Sequence, residues 1–81
     1  MDGNLPLNNY MDELYKESIK NRMDHIRLLT EENKVLQRIR ENHSKELELV
    51  EICREIMFNN VRFMEYLMKG IEDDKGYRKA L

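Results

Sequence analysis

The stretch LLTEENKVLQRIRENHSKELELV, residues 28–50, holds both the clearest helical pattern in the chain and its weakest point. Leu29, Asn33 and Leu36 recur at spacings of four and three, the signature of one face of a helix packed on another. Then Arg40 and His43 place two consecutive polar residues on that face. Asn42-His43-Ser44 are poor helix formers, so the pattern is most easily broken here.

Worked outward from this stretch, the spacing continues in one register. With Ile19 at heptad position a, the a residues are Ile19, Ile26, Asn33, Arg40, Leu47, Arg54, Val61 and Met68. The d residues are Tyr15, Arg22, Leu29, Leu36, His43, Val50, Met57, Met64 and Ile71. Twelve of these 17 positions are apolar, above the 41% hydrophobic content of the whole chain, so the excess belongs to the seam. The fold class expected is all-α, a single long helix forming an oligomeric coiled coil and widening to a bundle in its C-terminal half. The alternative is a helical hairpin with a turn near residues 42–44, Ser44 capping a second helix. The unshifted register, with no Gly or Pro at the break, favours the straight form.

Composition agrees with helix: one Pro, three Gly and no Trp in 81 residues, with Leu, Glu, Lys, Arg and Met abundant. Residues 1–9, with Gly3 and Pro6 and no periodicity, read as a flexible tail; residues 10–71 as the coiled-coil oligomerisation domain; residues 72–81 as a C-terminal tail. Asn8 or Asn9 can cap a helix opening at Tyr10, and Gly70 or Gly76 can end it. A lone helix of about 60 residues is ~90 Å long and covers almost none of its own apolar surface, so association is a condition of folding.

The expected self-association seam is Tyr15, Ile19, Ile26, Leu29, Asn33, Leu36, Leu47, Val50, Met57, Val61, Met64, Met68 and Ile71. Beyond Glu46 a second apolar face of Leu49, Cys53, Ile56, Phe63 and Leu67 appears at c and g. Two strands leave that face in water, which calls for a four-helix bundle or a protein partner in the groove. At e and g a parallel pair sets Glu46 against Glu51 and Glu32 against Gln37, with no attraction. Dimer and tetramer both stay open, as does strand direction.

Leu29 to Leu36 resembles the leucine-zipper pattern, an Asn at a between two d leucines, which implies an Asn33 pair across a parallel seam. The zipper's upstream basic helix has no counterpart, because DELYKESIKNRMDHIR, residues 12–27, interleaves acids with the bases. LNNYMDELYK, residues 7–16, resembles the opening helix of the short fibre-forming centrosomal autoantigen family. Those ten residues carry none of that family's microtubule function with them.

Sixteen acids and 14 bases lie scattered, for a net charge of -2, and give no reason to expect nucleic acid or anionic membrane as partner. His25, His43 and Cys53 have no zinc spacing, Glu72-Asp73-Asp74 lacks the rest of a calcium loop, and no nucleophile sits beside a base. Neither cofactor nor metal is expected, nor catalysis. A lone cysteine and the lack of an apolar leader point to a cytoplasmic or nuclear setting. The function expected is a self-associating scaffold or adaptor, a homo-oligomer that also binds protein, in the manner of cytoskeletal, centrosomal or chromosome-segregation assemblies. The alternative is a zipper-like nucleic-acid-associated regulator presenting Lys20, Arg22, Arg27, Arg38 and Arg40.

Overall fold

The computed structural model describes residues 4–81, with side chains from Leu7 onward. The chain is all-helical: α1 spans Asn4–Asn42 and α2 spans Leu47–Ala80. Among the described residues there is no strand. The helices pack antiparallel as a hairpin, in a rod of 69 × 15 × 12 Å. The continuous helix favoured by the register is thus interrupted, at residues 43–46.

Local chemistry explains the break. His43 N–H still donates to the Ile39 carbonyl at 3.0 Å, closing the last turn of α1. Glu46 N–H donates to the His43 carbonyl at 2.9 Å, a tight turn, and Val50 N–H to the Glu46 carbonyl at 3.0 Å opens α2. Asn42, His43 and Ser44 give up little helix propensity by leaving the helix here. No residue of the turn has positive φ, so neither Gly nor Pro is required.

Helix limits differ from the expected ones. α1 is under way before Tyr10, with Pro6 in its first turn, where a missing N–H breaks no helical bond. The tail reading of residues 1–3 lies outside the described residues. Neither glycine stops α2, which runs through Gly70 and Gly76 to Ala80. In place of a tail, residues 72–80 are helical.

The helices use different heptad positions. On α1 the half-buried side is a and d: Tyr15, Ile19, Arg22, Ile26, Leu29, Asn33, Leu36 and Arg40. On α2 it is d and g: Val50, Cys53, Met57, Asn60, Met64, Leu67, Ile71, Asp74 and Arg78. The a residues turn outward, Leu47 to 76% exposure and Met68 to 57%. Polar residues on α1 supply the reason. Arg22 needs a carboxylate and Asn33 an amide, since unpaired polar groups in a seam are costly. The a stripe of α2 offers Arg54, whereas the g stripe offers Asn60 and Asp74.

Candidate interaction face

The seam contains two polar clasps. Arg22 donates from Nη1 to Asp74 Oδ2, and also to Ser18 Oγ at 2.6 Å. Asp74 is only 7% exposed, yet it has this cation beside it. The guanidinium lies over Gly70, where an added Cβ would collide with it. This glycine is therefore needed for close approach, a role that its reading as a helix stop had missed. Midway along the seam, Asn60 Nδ2 donates to Glu32 Oε1 at 2.7 Å and to Asn33 Oδ1 at 2.9 Å. Asn33 thus finds its amide partner in the same chain.

At the open end of the hairpin Arg78 Nε donates to Asp12 Oδ1 at 2.7 Å. That bond is the main reason the Asp12 carboxyl is held below its ordinary range; burial opposes it, and Lys16 adds to the lowering. The same bond raises Arg78. Tyr15 and Tyr77 stack nearby with ring centroids 5.6 Å apart.

Two helices side by side make a slab with two broad faces, and these differ in chemistry. His25 stacks on Phe63 at 4.9 Å, which places the c and g side of α1 and the c side of α2 on one face. Leu14, Leu28 and Val35 are exposed there on α1, and Ile52, Ile56, Phe63 and Tyr66 on α2. Ile39 and Leu49 are half-buried alongside. Between Asn21 and Ile39 the charged or ionisable groups that α1 contributes to this face are His25 and Glu32, and Glu32 is already bonded to Asn60. An open hollow at its far half is lined by Leu14, Glu17, Ser18, Asn21, Arg22, His25 and Leu67.

Thr30, whose hydroxyl approaches Met64 sulfur at 3.4 Å, marks the opposite face. Met23, Phe58, Val61 and Met68 are exposed there, among Lys20, Arg27, Lys34, Glu51, Arg54 and Glu65. Lys34 pairs with Glu31, Arg27 with Asp24 and Arg54 with Glu51, so this side is a conventional solvated one.

The residues singled out from the sequence fall into three places. Tyr15, Ile19, Ile26, Leu29, Asn33, Leu36, Val50, Met57, Met64 and Ile71 face the other helix of the hairpin, as do Cys53 and Leu67 from the second stripe. Ile56 and Phe63 open onto the uncharged face, with Leu49 half-buried nearer the turn. Leu47, Val61 and Met68 lie outside the seam. Asp12, Asn60, Asp74 and Arg78 were not among the expected site residues, and Gly70 was expected only as a helix stop. A signal for them existed, in that Arg22 and Asn33 at seam positions each demand a partner of defined chemistry.

The bases of the nucleic-acid alternative are dispersed: Arg22 is committed to Asp74, Arg27 to Asp24, and Arg40 is half-buried with Nη1 on Gln37. Among the described residues, no three His, Cys, Asp or Glu side chains converge as a metal site requires. No helix among them is long and apolar enough to cross a membrane. Compared with protein-family models, curated proteins and solved structures, the chain matches none.

Proposed function

We propose that this protein is a self-associating helical scaffold or adaptor, whose hairpins join into a coiled-coil bundle through the uncharged broad face. The observation that carries this reading is the face itself. Leu28, Val35, Ile52, Ile56, Phe63 and Tyr66 are exposed together in a region almost free of charge. Contiguous apolar surface of that kind marks an interface.

Area supports the reading. The chain exposes 6546 Å², while a compact monomer of its 9.9 kDa exposes about 5,200 Å². The difference, about 1,300 Å², is comparable to what one partner buries in a stable protein interface, roughly 800 Å² or more. Cytoskeletal, centrosomal and chromosome-segregation assemblies are settings in which such a rod serves as a joint.

Light scattering coupled to size-exclusion chromatography tests this directly. A mass of at least two chains is expected at micromolar concentration, and Ile52→Glu combined with Phe63→Glu should reduce it to one. Wild-type protein that runs as an ordered monomer would end the proposal. Nucleic-acid binding that falls steeply with salt in a gel-shift titration would instead favour the regulatory alternative.

A further inference from the structure

We infer that the occupant of the uncharged face is a second copy of this chain lying in the same direction, turn beside turn, related by a two-fold axis along the rod. This rests on the self-association proposed above and specifies its geometry. The argument begins with which residues stand level. Asp12 meets Arg78, Arg22 meets Asp74, Thr30 meets Met64, and Asn33 meets Met57 and Asn60. By the same progression Leu28 is level with Phe63, Val35 with Ile56, and Ile39 with Ile52.

A two-fold axis along the rod lays α1 of each copy over α2 of the other, antiparallel, and keeps every residue at its own level. Leu28 then opposes Phe63 of the second copy, Val35 opposes Ile56, and Ile39 opposes Ile52, each contact occurring twice. Glu32 comes opposite Asn59, an exposed amide that can donate to its carboxylate. Tyr66, 72% exposed, meets the rim of the hollow at Asn21 and His25 on the second copy. Phe63 and Ile56 on α2 thus face the smaller Leu28 and Val35 on α1, the alternation that lets layers interdigitate.

Crosswise axes do worse. Apolar residues of this face are concentrated in the half nearest the turn, while the open half carries Asn21, Gly70 and Asp73. A crosswise axis at mid-length lays the apolar half of one copy on the polar half of the other. Moved toward the turn, it overlaps the two apolar halves but sets Glu32 against Val35 and leaves Leu14 and Tyr77 uncovered. An axis along the rod is the arrangement that covers the most of this face, matching its chemistry over the half nearest the turn while bringing Asp73 of one copy level with Ser18 and close to Glu17 of the other, and it accounts for surface on the scale of the 1,300 Å² excess estimated above.

The test is a pair of inter-chain distances in the full-length protein. With buried Cys53 changed to Ala, nitroxides are placed separately through Ser44→Cys, in the turn, and Lys79→Cys, at the open end; both sites are exposed. Helices in contact are about 10 Å apart, so with label arms both positions should give a separation within about 30 Å. A crosswise pair separates the Lys79 labels by at least the length of α2, whose 34 residues span about 50 Å. No separation below about 30 Å at Lys79, in an assembly of any mass above one chain, overturns this pairing and leaves self-association standing. A monomeric mass with no inter-label coupling overturns both.

Discussion

Gly70 and Gly76 have the same residue type six positions apart on one helix, and their surroundings give opposite outcomes. An alanine at either gains about 1 kcal/mol of helix propensity. Nothing lies within 4 Å of a Cβ at Gly76, so Gly76→Ala should stabilise the fold by about that amount. At Gly70 the Cβ meets the Arg22 guanidinium, which can swing away with little strain but then leaves Asp74 buried and unpaired. Breaking a fully buried pair costs about 3–5 kcal/mol. Arg22 is a third exposed, which reduces that figure. A net loss of about 1–2 kcal/mol is expected for Gly70→Ala, and urea unfolding of the two variants side by side checks the reversal of sign. Asp12 makes a second residue-scale prediction. Its folded carboxyl sits below the ordinary value because of the bond from Arg78. Its stabilisation is therefore fully present above about pH 4 and is lost as pH falls through the lowered value. Thermal scans of Asp12→Asn should show a lower midpoint than wild type near neutral pH, and the gap should close at the acid end.

On the scale of the elements, what could be read from the sequence divides at the turn. The three-and-four spacing of α1 picked out Tyr15, Ile19, Ile26, Leu29, Asn33 and Leu36, which are the residues that face α2. On α2 the spacing was ambiguous, because positions d and g recur at the same intervals as a and d. The choice between them is made across the hairpin, by Arg22 and Asn33 demanding Asp74 and Asn60, and no window along one helix contains that information. The turn was visible as weakness at Asn42-His43-Ser44, but the unbroken register concealed it. A helix can resume in register after a turn while rotating which stripe it buries. The uncharged face followed the same logic: Ile56 and Phe63 belonged to the second stripe, whereas Leu28 and Val35 joined them only once α1 and α2 lay side by side. The start of α2 has a weakness of its own, since Glu46 at its N-cap makes no side-chain bond to the first amides. Its carboxylate is instead near His43 Nδ1 at 3.0 Å, an exposed contact of small value. Glu46→Ser gives those amides a short hydroxyl acceptor, and a gain of about 0.5–1 kcal/mol is expected. Circular dichroism during urea titration should register it as a higher midpoint with unchanged slope.

For the molecule as a whole, few side chains are well covered: Cys53, Leu67 and Ile71 are the buried apolar residues among those described. A slab one helix thick cannot do better, because each helix has one neighbour and presents the rest of its circumference to water. If the hairpins associate as proposed, folding and association are one equilibrium, and its midpoint depends on how much protein is present. Two chains of 81 residues unfolding together absorb about 110 kcal/mol at roughly 0.7 kcal/mol per residue. Each tenfold rise in concentration contributes about 1.4 kcal/mol to the associated state, which with that enthalpy raises the thermal midpoint by about 4 °C. Calorimetry over a hundredfold concentration range should show this drift for wild type. Ile52→Glu with Phe63→Glu, which places charges on the uncharged face while leaving the seam intact, should melt lower and at a concentration-independent temperature. A wild-type midpoint that holds still across that range would mean that the hairpin is stable alone, and that its thin seam, with the Arg22–Asp74 and Asn33–Asn60 clasps, suffices without a second copy.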